Sequence, residues 1–187
     1  MPRHKIQFCH HQSGFTLLEL VSSIAIVGVL SSTALAKFSD LGRDSRISVL
    51  GSVSSSLHTA ANITYLQAHL QGKPGVNQDK SIQYQQNSVL IQGGYPKADW
   101  NQSIVRIIDI DVAEHESDPE KICQGFDFCG KGDLQSTNAL VSSISLKPGK
   151  VALIWMKGTR AIDQCFMYYH LPNNGSKPDT GEITSGC

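Results

Sequence analysis

The sequence has no proline between Phe15 and Lys73 and no acidic residue before Glu19. Nothing in that stretch forces a helix to stop. Net charge is missing as well: 16 Lys and Arg balance 16 Asp and Glu among 187 residues, so the chain lacks the basic footprint of a nucleic-acid binder. Charged residues make up 17%, below the usual ~25%. Aromatics, at 7%, still suffice for a core, which excludes disordered and collagen-like classes. Catalytic signatures are also absent. There is no phosphate-binding loop, no HExxH, no GxSxG and no dinucleotide fingerprint. The expectation is therefore a non-enzyme without a cofactor. A membrane-anchored enzyme is the reading from another class, and it would require a polar pocket.

Hydrophobicity is concentrated near the start. A short polar stretch, Met1–Gly14, carries Arg3 and Lys5 and no acid. Phe15 then opens an apolar run to Ala36 whose one charge is Glu19. As a helix, that run spans roughly 33 Å, the thickness of a bilayer's hydrocarbon core. The basic flank predicts a cytoplasmic N-terminus and export of the remainder. Ala34-Leu35-Ala36 would also serve as a signal-peptide cleavage site, releasing a soluble periplasmic protein. Against that stand the length of the run and Glu19. A carboxylate inside a membrane helix costs roughly 2.5–3.5 kcal/mol on insertion scales, so it points to a function.

The run Gly14-Phe15-Thr16-Leu17-Leu18-Glu19-Leu20 resembles the class III signal of type IV pilins and type II secretion pseudopilins. In that signal a short basic leader ends in Gly. Phe and an apolar helix follow, with Glu at the fifth mature position. The resemblance implies that a prepilin peptidase cuts between Gly14 and Phe15 and methylates the new Phe15 amine. It implies that Glu19 pairs with the ammonium of a neighbouring subunit. Many family members carry a proline near the end of this segment, where this chain has Ala36.

Beyond Lys37, apolar side chains recur at Ile47, Leu50, Val53, Leu57, Ala60, Ile63, Leu66 and Leu70. These three- and four-residue steps predict one buried helical stripe. Gly72-Lys73-Pro74-Gly75 reads as the stop. Strand-like segments follow at Ser88–Gln92, Ile104–Val112, Val151–Met156 and Cys165–His170, separated by turns. The fold class is thus α+β: a long N-terminal helix packed on a C-terminal antiparallel sheet. The expected organisation is a cleaved leader 1–14, a helix 15–72 with its membrane or assembly part at 15–36, and a β-rich head 73–187.

Cys9 falls in the leader. Loss of the leader leaves 14 basic and 16 acidic residues and four cysteines. An even count in an exported chain suggests disulfides. Three connectivities exist; locality favours Cys123–Cys129 and Cys165–Cys187. No CxxC spacing supports zinc. Six acids crowd Asp109–Glu120 without a base. A solvated loop is the expectation there, since the spacing is not that of an EF-hand for calcium. His115 and His170 are isolated.

The segment from Cys165 to Ser185-Gly186-Cys187 is similar to the C-terminal disulfide region of MSHA-type (mannose-sensitive haemagglutinin) pilins. Lys37-Phe38, Leu41, Asp44–Arg46 and Ser54–Gly72 are similar to that family too. The stretch carrying Cys123 and Cys129 looks like an insertion relative to simpler members. The resemblance implies a filament subunit for attachment that polymerises with like or related pilin subunits. It implies an inner-membrane assembly platform as partner, residence in the inner membrane before assembly, and then an extracellular pilus. A minor pilin or pseudopilin is the alternative rank.

Overall fold

The structure is a computed structural model that describes residues 14–73 and 80–187, and of residues 35–40 the backbone alone. Arg3, Lys5, Cys9, Pro74 and Gly75 lie outside the described residues, as do the side chains of Ala36, Lys37 and Phe38. The chain divides into two compact units, one ending at Gly42 and one running from Arg43 to Cys187. Helix α1, Leu17–Leu70, contributes to both. The division falls inside α1, not at its end.

In the first unit α1 has hydroxyl side chains, and it satisfies four of them internally, Ser22, Ser23, Ser32 and Thr33. Ser22 and Ser23 both donate to the Glu19 carbonyl, at 3.0 and 2.7 Å, and Thr33 donates to the Leu30 carbonyl at 2.9 Å. A polar group so bonded can enter an apolar medium without an orphaned donor.

In the second unit α1 buries Leu50, Val53, Leu57, Ala60, Ala61, Thr64 and Ala68. The predicted stripe needs correction at its far end. Leu66 and Leu70 are 61% and 84% exposed, and Ile63 is also exposed. Two stripes with comparable spacing run along the end of this helix, and the one through Ala61, Thr64 and Ala68 is the one buried. Gly94, at φ +85°, lies so near Tyr65 and Ala68 that a β-carbon there would meet the tyrosine ring at 2.8 Å. The helix ends on Gly72 at φ +66°, with the Lys73 N–H donating to the Ala68 carbonyl at 2.8 Å. This is the left-handed stop that glycine favours.

Two antiparallel sheets follow. The first has β1 (Lys80–Tyr84), β2 (Asn87–Gln92) and β3 (Tyr95–Pro96) in that order. The second is a meander of β4 (Phe128–Gln135), β5 (Gly149–Met156), β6 (Phe166–Pro172) and β7 (Asp179–Ile183). Strand β5 is buried on both faces. Ala152 and Ile154 join the core with α1, while Val151, Leu153 and Trp155 join a second core beneath Phe166 and Ile183. The edge groups of β1 at Gln83 are occupied: the Gln71 side chain donates to the Gln83 carbonyl at 2.8 Å and accepts from its N–H at 3.1 Å.

The strand expected over Ile104–Val112 is absent. Trp100–Ile104 forms a π-helical turn that runs into a helical turn, Val105–Ile107. Alternating burial over Ile108–Val112 belongs to a segment that bends at Ile110 and Asp111 and, among the described residues, makes only a single bridge, from Val112 to Phe128. Asp99 starts the turn by accepting from the Gln102 N–H at 2.6 Å. Trp100 pins it, donating from Nε1 to the Ala113 carbonyl at 3.0 Å. Gly130 of β4 leaves room for that indole; any β-carbon there would overlap it. Tertiary packing of one tryptophan overrides the local β preference.

Candidate functional site

Gly14 precedes α1 in non-helical backbone with open space around it, and Phe15 beside it is 83% exposed. Helix α1 opens with a reciprocal cap. The Glu19 N–H donates to Thr16 Oγ1 at 3.2 Å, and the Thr16 N–H donates to the Glu19 carboxylate at 3.4 Å. This is the Thr-x-x-Glu capping box, whose signature stands in the sequence at Thr16. Reasoning from charge alone reaches Glu19 and misses Thr16. A glutamine at position 19 could fill the same box, so capping does not explain the charge.

The helix that follows is not buried by any of the described residues. Leu17–Ala34 has a mean hydropathy of 1.8 and none of it is buried. Contiguous apolar surface on this scale marks a membrane or protein contact. Its length and composition suit a membrane span, and an N-terminal signal sequence shares both features.

An exposed Phe15 after Gly14, a capped Glu19 and an apolar helix left uncovered by the described residues are consistent with a chain anchored through its N-terminal segment. Residues 9–35 match the family described as the prokaryotic N-terminal methylation motif. That motif is the class III signal, and it supports a type IV pilin-like or pseudopilin protein. It implies prepilin peptidase processing and pilin polymerisation, and is consistent with membrane anchoring. No curated protein and no solved structure matches the chain.

The head is closed by two disulfides. Cys123 joins Cys129, and Cys165 joins Cys187. The second brings the tail against the turn before β6, where the Gly186 N–H donates to the Gln164 carbonyl at 3.1 Å. Two arginines of α1 reach the same tail: Arg43 donates to the Thr184 carbonyl at 3.5 Å and Arg46 to the Cys187 carbonyl at 3.4 Å. These long-range contacts leave no local trace in the sequence.

The acids of Asp109–Glu120 are dispersed. Asp111 accepts from the Asp127 N–H at 3.0 Å, Glu116 pairs with Lys131, and Asp118 accepts from the Glu120 N–H at 3.0 Å. Among the described residues no group of three or more His, Cys, Asp or Glu is placed to hold a metal. His170 is buried, its Nε2 2.9 Å from the Lys147 carbonyl and its Nδ1 3.6 Å from Asp179. His115 is exposed. Burial, and then the neighbouring Asp99 carboxylate, push the Asp133 carboxyl above the usual range. Burial also raises the Tyr169 phenol, which donates to the Pro96 carbonyl at 2.7 Å. These are isolated groups and do not converge on one cleft.

Proposed function

We propose that this chain is a structural subunit of an MSHA-like type IV pilus. A prepilin peptidase removes residues 1–14 between Gly14 and Phe15, and the Phe15 amine is methylated. Residues 15–36 hold the subunit in the inner membrane, N-terminus on the cytoplasmic side, until an assembly platform draws it into an extracellular filament used for attachment. The observation that carries this reading is Glu19 in motif register at the head of an apolar helix with nothing covering it. Lipid and neighbouring helices are similarly apolar, so exchanging one for the other changes the hydrophobic free energy little. The registering force then falls to charge: Glu19 of one copy against the Phe15 ammonium of the next.

The test is Glu19→Gln, which keeps the capping box with Thr16 and removes the charge. Leader cleavage and membrane content should match wild type. Sheared-filament recovery should fall sharply, since leaving one member of a buried pair uncompensated costs about 3–5 kcal/mol. Mass analysis should find the mature chain starting at methylated Phe15. A mature start at Lys37, or normal filament yield from Glu19→Gln, would overturn the reading.

A further inference from the structure

The Glu19 carboxylate is held in one orientation by a single neighbour. Its Oε2 accepts from the Thr16 N–H at 3.4 Å and from Thr16 Oγ1 at 3.5 Å. The same hydroxyl accepts from the Glu19 N–H at 3.2 Å. Thr16 Oγ1 is therefore used in both directions, its proton toward the carboxylate and a lone pair toward the amide. Both donors fall on Oε2. Among the described residues nothing donates to Oε1.

Capping the helix does not require this arrangement. An aspartate at position 16 would accept from the same N–H equally well, but it would set a second carboxylate against Glu19. The threonine hydroxyl caps the helix and donates to the acid. Ser22 and Ser23 are occupied elsewhere, both on the Glu19 carbonyl, so the carboxylate depends on Thr16. A glutamate side chain has three rotatable bonds. Fixing them before a partner arrives removes an entropy cost that pairing would otherwise have to meet. Leader removal leaves both donors in place, since a cut between Gly14 and Phe15 keeps the Phe15–Thr16 amide intact.

We infer that Thr16 is a positioning residue for assembly: its N–H and hydroxyl pin Oε2 of Glu19 and so present Oε1 to the Phe15 ammonium of a neighbouring copy. This rests on the polymer reading above and adds to it an uncharged residue that acts through Glu19.

The test uses the full-length protein, with sheared-filament recovery as the readout and leader cleavage and membrane content as references. Thr16→Val keeps the shape of the side chain and removes the hydroxyl. Recovery should fall about fivefold or more, with both references unchanged. Thr16→Ser keeps the hydroxyl and should stay within about twofold of wild type. A double-mutant cycle separates positioning from capping. Glu19→Gln retains the capping box, so loss of a cap alone through Thr16→Val should cost the same factor in either background. Positioning of the charge should instead cost less than about twofold once that charge is gone. Wild-type recovery from Thr16→Val, no rescue by Thr16→Ser, or an equal loss in both backgrounds would overturn the inference. A loss matched by a fall in leader cleavage or membrane content would assign the effect to processing and overturn it equally. Normal recovery from Glu19→Gln would instead remove the reading of Glu19 itself, which separates the two failures.

Discussion

Residues 17–34 and 50–68 belong to one helix and obey opposite rules. The first segment buries nothing against the described residues. The second places Leu50, Leu57, Ala61 and Thr64 wholly out of solvent. Both are helical because neither contains proline and both are rich in helix-compatible residues. What differs is the arrangement of apolar side chains. Around the first segment they are continuous, so any face meets an apolar medium equally well. Along the second they form stripes, so only one face can be covered by the chain's own sheets. Helix formation is thus shared, while completeness is not: the second segment is finished by its own domain and the first is left uncovered by the described residues.

That contrast can be broken by removing packing on each side. Trp100→Ala takes away the indole that occupies the space over Gly130 and bonds to Ala113. It should destabilise the head by about 3–5 kcal/mol in denaturant unfolding followed by circular dichroism. Ile24→Ala should leave head stability within about 0.5 kcal/mol of wild type, since Ile24 touches no core. A comparable loss from Ile24→Ala would mean that the exposed segment is part of the folded head.

A smaller effect should follow from Cys187→Ser, which frees the tail from Cys165 and with it the carbonyls that Arg43 and Arg46 hold. The expected cost is about 2–4 kcal/mol, with hydrogen exchange rising over 184–187. Alkylation of the unreduced protein should find no free thiol at Cys123, Cys129, Cys165 or Cys187.

The smallest effect concerns Asp133, which sits at φ +54° with its carboxyl raised by burial and by Asp99. A raised acid favours the folded state most when both states are protonated. That contribution is lost as pH rises from the ordinary carboxylate range through the raised folded value. Asp133→Asn should therefore stabilise the head at pH 7, by less than about 1 kcal/mol because solvent screens the pair. Asparagine also tolerates this backbone conformation. The advantage should vanish in acid, as followed by melting temperature against pH.

Much of this was legible in the residues. The apolar run, the absence of proline and the glycine stop mark out α1, and β2, β5 and β6 are each betrayed by short apolar runs between turns. Ile104–Val112 misleads because its alternation is real but serves a segment without a ladder, and the turn before it is made by Trp100 against Gly130, thirty residues away in sequence. Ile63, Leu66 and Leu70 mislead because spacing gives a stripe without saying which of two stripes a sheet will choose. At the candidate site Gly14, Phe15 and Glu19 are readable as a local motif. Arg43 and Arg46 are not, since their partners lie at the opposite end of the chain.

The Gln71 amide over Gln83 has a consequence for life in a crowd. A strand at the rim of a sheet offers its free backbone to any neighbouring strand, and chains held side by side are exposed to that hazard continuously. Here one side chain from the helix end plays the part of a missing strand, filling both the donor and the acceptor of Gln83. On the other sheet the segment around Ala113 and Ser117 does the same for β4, bonding to Phe128 and Gly130. At Gln83 and along the start of β4 the strand backbone is thus already occupied and is not offered to a neighbouring strand.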